Sequence, residues 1–282
     1  MSELQWLPER EPRAALLLIH GMCEHVRRYE TFARALNAQG YAVLAEDLPG
    51  HGPECPTLGY CPGDMWALSQ EAIRRNFARL RQRYPDLPIV VFGHSYGSFL
   101  LQSLVPTLGA DAYILSGSAR QTDPEKLKKL YDMACAMAPQ EKANAIAELS
   151  FNAFNQSFAA EGRNAWLSRD RAQVERYNRD PLCGFVVSGS FYKGMYGGLI
   201  GLCDREFPPR PEKPVPILVM SGDRDPVGGF GEGVKELAEL YSQRGYPVTL
   251  RLYAQARHET LNECNREEVT EDVLAFLNMV LP

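Results

Sequence analysis

The run Gly93-His94-Ser95-Tyr96-Gly97 sets a serine between two glycines, directly after the apolar residues Ile89-Val90-Val91-Phe92 and just before an apolar stretch that starts at Phe99. A buried strand, a turn too tight for side chains at its flanks and a buried helix make a nucleophile elbow, which holds the serine hydroxyl clear of the sheet. A serine at neutral pH needs a base to take its proton, and the sequence offers five histidines. His94 adjoins the serine and points the wrong way. His20, His25 and His51 precede it, whereas elbow sites run in the order serine, acid, histidine. His258 remains as the base. Two aspartates compete for the acid. Asp223 follows Gly222 at a tight turn, where aspartate often bonds only its own backbone. Asp225, followed by Pro226-Val227, is favoured as the group that orients and stabilises a charged His258. Acyl transfer also needs donors for an oxyanion, assigned to the backbone N–H groups of Tyr96, after the serine, and Met22, after His20-Gly21.

These residues need a frame that brings distant parts of the chain together. Ala14–Ile19, Tyr41–Ala45, Ile89–Phe92, Ala112–Leu115, Pro216–Met220 and Val248–Tyr253 read as strands, most of them continuous apolar runs expected of parallel strands covered on both faces. Helices are expected near 29–39, 64–83, 233–244 and 266–279, the last with Asn265 and Glu268 as a capping box. The alternation predicts an α/β fold, a mostly parallel central sheet with helices on both faces. Its ligands bind at the carboxyl ends of the strands, where His20-Gly21, Ser95 and Asp225 all fall. Between 119 and 211 the rhythm stops. That stretch is helical and aromatic, with Phe151, Phe154, Phe158, Trp166, Phe185, Phe191, Tyr192 and Tyr196. We read it as a helical cap inserted between a first core segment, 1–118, and a second, 212–282. Most of its aromatics are expected to form the cap's own small core. Gly197 to Gly201 has the spacing of a close-packing contact and no more.

Composition narrows the setting. A net charge of -5 argues against a nucleic-acid surface. Seven cysteines without a C-x-x-C pair fit a reducing compartment and are expected to be mostly buried. No apolar leader and no run of membrane-spanning length is read, which makes the cytoplasm the expected location and leaves room for transient contact with a membrane surface. An apolar content of 45% supports a full buried core without disulfides or metals.

Taken together, His20-Gly21-Met22-x-Glu24-His25 with Arg28-Tyr29, Asp47-Leu48-Pro49-Gly50-His51-Gly52, the elbow, Gly222-Asp223-x-Asp225-Pro226-Val227 and Arg257-His258-Glu259-x-x-Asn262-Glu263 resemble the α/β-hydrolases of the monoacylglycerol lipase and bacterial lysophospholipase group. The resemblance runs from about Leu16 to the carboxyl terminus. It implies a cofactor-free serine hydrolase with a helical lid that cleaves acyl esters of glycerol or related lipids. The group's triad falls on Ser95, Asp225 and His258, and its oxyanion amides on Met22 and Tyr96. Two departures stand out. The amino terminus has room for one edge strand near Leu4–Leu7 rather than the usual hairpin. Pro49 and Glu54 also occupy the arginine and serine positions of the group's Asp-x-Arg-Gly-His-Gly-x-Ser loop. A thioesterase, amidase or peptidase would use the same triad, and an inactive hydrolase-fold binding protein is the alternative from outside catalysis. Dehalogenases and epoxide hydrolases would need an aspartate at Ser95.

Overall fold

Residues 3–204 and 206–281 are described by the computed structural model, without the side chains of Phe151 and Asn152, so the expected contribution of Phe151 lies outside the described residues. Among the described residues seven strands form one sheet: β1 (Glu3–Trp6), β2 (Ala14–Ile19), β3 (Tyr41–Glu46), β4 (Ile89–His94), β5 (Ala112–Ser116), β6 (Ile217–Gly222) and β7 (Val248–Tyr253). Their order is β1-β3-β2-β4-β5-β6-β7. All neighbours are parallel except β1, which pairs antiparallel with the edge of β3. This is the α/β-hydrolase sheet, and the single edge strand expected at the amino terminus is present.

The two faces of the sheet are read off alternate residues. Leu17, Ile19, Val91 and Leu115 point into one core, which helices α2 (Met65–Arg83), α3 (Tyr96–Leu108) and α9 (Glu232–Gln243) cover. Leu16, Leu18, Val90 and Phe92 point into the other, under α1 (Glu30–Ala38) and α10 (Arg266–Val280). Each such side chain, fully removed from water, stabilises the fold by about 1.5–3 kcal/mol. The central strands are therefore rigid, and groups mounted on their ends inherit that rigidity.

Local chemistry sets the helix ends. Asp64 caps α2, accepting from Trp66 N at 2.9 Å and Ala67 N at 3.0 Å. The capping box expected at Asn265 does not form. The Asn265 amide donates to the Glu268 carboxylate at 2.8 Å, and its oxygen accepts from Arg169 at 3.0 Å. The competing ion partner, Arg169, draws that oxygen away from the backbone.

Between β5 and β6 the described residues contain no strand, only one isolated bridge, Lys142 to Ser188. Helices α4 (Pro124–Cys135), α5 (Asn144–Ala147), α6 (Ala153–Asn155), α7 (Arg171–Arg179) and α8 (Gly189–Gly201) fill this insertion. Helix α8 packs on α2 through Gly194 and Gly198, where an added Cβ would come within 2.9 Å of Trp66 N and 2.1 Å of the Trp66 ring. The close-packing glycines are thus this pair and not Gly197 and Gly201. The cysteines also depart from expectation. All seven are free, but only Cys23 and Cys183 are buried, while Cys135 and Cys264 are exposed. No described helix is long and apolar enough to cross a membrane.

Candidate active site

Strand β4 carries Ser95 out of the centre of the sheet and α3 begins one residue later. The turn is held by the Ser95 N–H on Ser116 O at 2.9 Å and by Ser98 N and Phe99 N on Ser95 O. A Cβ on Gly93 would sit 2.7 Å from Gly97 O, and one on Gly97 would sit 2.5 Å from His20 O. Only glycine fits either position. The serine itself takes φ 51°, ψ -120°, a conformation that side chains avoid at a cost of about 1–3 kcal/mol.

Two loops from the other end of the chain meet this hydroxyl. His258 Nε2 lies 2.8 Å from Ser95 Oγ, and His258 Nδ1 lies 2.9 Å from Asp225 Oδ2. Asp225 is completely buried and also accepts from Ser221 Oγ at 2.7 Å and Val227 N at 2.9 Å. Burial alone would raise its pKa. The His258 charge and these hydrogen bonds outweigh burial and hold the carboxyl below its ordinary value. An ionised carboxylate only accepts, so Nδ1 carries the imidazole proton and the Nε2 lone pair faces the serine. Burial likewise works against a charged His258, but Asp225 prevails and the net shift is upward. Asp223, the competing acid, is elsewhere: its carboxylate accepts from Gln255 N at 2.7 Å and ties the β6 loop to the turn after β7.

Met22 and Tyr96 line the same cavity as Ser95. Among the described residues neither backbone N–H has an acceptor. The glycine before Met22 matters for space rather than for backbone freedom. A Cβ on Gly21 would come 2.8 Å from the Glu24 carboxylate and 3.1 Å from the Ser95 Cβ. Glu24 accepts from Gly21 N at 2.6 Å, Tyr29 OH at 2.7 Å and Arg28 at 2.5 Å. Burial raises its pKa, yet Arg28 and neighbouring groups bring it down to about 2. Arg28 also grips Glu259, the neighbour of His258, so one buried guanidinium links the Met22 loop to the histidine loop.

His20 and His51 brace the Met22 loop from below. Leu48 N donates to His20 Nε2 at 2.9 Å and Cys23 N donates to His51 Nε2 at 3.1 Å. Each Nδ1 must then donate to a carbonyl, Gly21 O at 2.6 Å and Pro49 O at 3.0 Å. Burial keeps both rings neutral, with pKa values lowered to about 4 and about 3. The altered loop therefore still makes these contacts through His51 and through Asp47, which accepts from Val26 N at 2.9 Å. Pro49 contributes only its carbonyl.

Trp166, read from sequence as one cap aromatic among several, covers the His258 ring with centroids 4.9 Å apart. Its contact leaves no local sequence signal. The insertion also roofs a cavity of about 520 Å³ that opens on Ser95, with Leu127, Leu130, Met195 and Leu199 among its walls.

The chain is similar to known proteins over nearly its whole length. It is 29% identical to a monoacylglycerol lipase from Mycolicibacterium smegmatis, covering 96% of this chain and 90% of that one. A solved structure described as a lipase in its open form matches with a TM-score of 0.90 and 28% identity, covering 99% of this chain and 94% of that one. A thermostable carboxyl esterase from Bacillus coagulans, solved with glycerol, matches with a TM-score of 0.85 and 27% identity, over 99% and 93% of the two chains. A family profile described as serine aminopeptidase, S33, matches residues 10–265. With an elbow serine on a seven-stranded α/β-hydrolase sheet and a profile spanning most of its length, the chain belongs to that serine hydrolase family, Hydrolase_4.

Proposed function

We propose that this protein is a serine carboxylic ester hydrolase for acyl esters of small lipids. The observation that carries the reading is the Ser95–His258–Asp225 chain, at 2.8 and 2.9 Å, opening on an apolar cavity. Ser95 attacks the ester carbonyl while His258 Nε2 takes its proton. Asp225 holds the resulting imidazolium, and the Met22 and Tyr96 amides receive the oxyanion. The tetrahedral intermediate expels the alcohol, protonated by His258. The acyl-enzyme on Ser95 is then opened by a water that His258 activates. The insertion, 119–211, acts as a lid whose apolar wall binds the acyl chain. Exposed Leu149 and Phe230, each in a segment that lines the cavity, offer apolar surface for transient contact with a lipid aggregate. Seven unpaired cysteines support a cytoplasmic location.

A peptide substrate with a free α-ammonium would need an uncommitted carboxylate near the serine. Beside the serine, Glu24 and Glu259 lie in the cavity wall and Arg28 engages both, while Asp123, Glu232 and Glu236 line the same cavity. An aminopeptidase substrate is therefore part of the test. The test is a p-nitrophenyl ester chain-length series run beside monoacylglycerol, lysophospholipid and alanine p-nitroanilide, with Ser95→Ala as control. Rates should climb with acyl length and then stop, since each buried methylene adds about 0.8 kcal/mol. Equal rates on acetyl and dodecanoyl esters would remove the lipid assignment. Failure of a fluorophosphonate to label Ser95 would leave a binding protein instead.

A further inference from the structure

Two rings pack against His258, that of His94 with centroids 4.8 Å apart and that of Trp166 with centroids 4.9 Å apart and 36° between the planes. Gly117, at φ +60°, leaves the space they need, because a Cβ there would come 2.9 Å from His258 Cε1. His94 stays neutral, its pKa lowered to about 4 chiefly by burial, so it presents no opposing charge. Trp166 presents the electron-rich face of an indole.

The position of Trp166 is built rather than incidental. Its carbonyl accepts from His258 N at 3.4 Å, and the carbonyl of Leu167 accepts from Glu259 N at 2.8 Å. Arg257, buried beside the base, donates to Ala165 O at 2.6 Å and pairs with Glu161 at 2.6 Å. Phe154 packs against the indole at 5.2 Å. Three backbone carbonyls in a row, 165 to 167, are thus tied to three consecutive residues of the histidine loop, 257 to 259.

We propose that Trp166 is a positioning residue for the reaction, one that stabilises the imidazolium form of His258 through its π face. The inference rests on the serine hydrolase reading above. His258 gains a positive charge when it takes the Ser95 proton, and an indole face within about 6 Å favours that charge in a water-poor site. The other charged and titratable groups around the ring are Asp225 from the β6 loop, Glu24 from the β2 loop, His94 from β4, and Arg257 and Glu259 on its own loop. Of these, Asp225 and the two glutamates favour the cation. Trp166 adds to them from the insertion, through the face of its indole.

The test uses Trp166→Leu, which keeps apolar cover over the ring and removes the π face, and Trp166→Phe, which keeps a weaker one. The pH profile of kcat/KM is measured on a soluble p-nitrophenyl ester. The acid limb should move down by about 0.5 to 1 pH unit in Trp166→Leu and by less in Trp166→Phe. The rate at pH 8 should fall about 3- to 10-fold and the rate at pH 5.5 by less. Loss of packing alone would depress all pH values together and leave the limb in place, and that result overturns the proposal. A second arm titrates the His258 ring by NMR in Ser95→Ala with and without Trp166→Leu. An unchanged midpoint there also overturns it. This arm needs no turnover, so an inactive wild-type enzyme would remove the hydrolase reading while the contact between the rings was still decided.

Discussion

Arg28 holds Glu259 with both prongs of its guanidinium, Nη1 to Oε1 at 2.7 Å and Nη2 to Oε2 at 2.6 Å. The same Nη1 reaches Glu24, and the group stacks on Tyr177 at 4.9 Å. All three charges are nearly out of water, so their worth lies in the pairing. Arg28→Met leaves two buried carboxylates without a cation and is expected to lower stability by about 3–5 kcal/mol, read by chemical denaturation. Arg28→Lys keeps the charge and loses the fork. It should fold, with a lowered midpoint and reduced kcat, because the Met22 and His258 loops are no longer held in one register. A Lys variant indistinguishable from wild type would show that charge alone suffices.

The strained serine predicts a trade between activity and stability. Ser95→Ala should lower ester hydrolysis on the order of 10⁴-fold. Ser95→Gly should do the same and also raise the unfolding free energy by about 1 kcal/mol, since glycine adopts φ 51° without penalty. A Gly variant melting below the Ala variant would contradict the strain.

For the acid, Asp225→Asn should reduce kcat on the order of 10³- to 10⁴-fold by offering His258 the wrong partner. Asp223→Asn retains an oxygen for Gln255 N and should stay near wild-type activity. The opposite ranking, in a steady-state assay, would move the acid to Asp223.

The pH dependence follows from the direction of two shifts. His258 must be neutral to act as base, and Asp225 raises its pKa above 6.5, so kcat/KM should rise with pH through an ionisation above that value. On stability the two partners act in opposite windows. The raised His258 contributes stability below its unfolded pKa and loses it as pH climbs through the folded value. The lowered Asp225 contributes above its unfolded pKa and loses it as pH falls. A flat rate profile between pH 5 and 9 would exclude a histidine base.

Much of this architecture could be read from local pattern. Continuous apolar runs gave the parallel strands, and Gly93 and Gly97 marked a turn that only glycine can make. Chain order then singled out His258. Asp225 over Asp223 was a finer choice, and the two side chains do diverge, one to His258 and one to Gln255 N. What stayed hidden was contact between residues far apart in sequence. Nothing around Trp166 marks it as the cover of His258, and nothing at position 28 tells that its arginine spans to Glu259. Asn265 shows the converse: its local capping signal was sound, but Arg169, distant in sequence, took its oxygen.

The pairing of β5 with β6, Ser116 beside Met220, has a consequence for how the protein is made. These neighbours flank the whole helical insertion, and the acid and base follow β6 and β7. Ser95 is therefore synthesised well before Asp225 and His258, and β5 has its β6 neighbour only once the insertion has been made. On the proposed triad, a chain that ends before β7 has the serine without its base. Activity would then require that β6 and β7 have both joined the sheet.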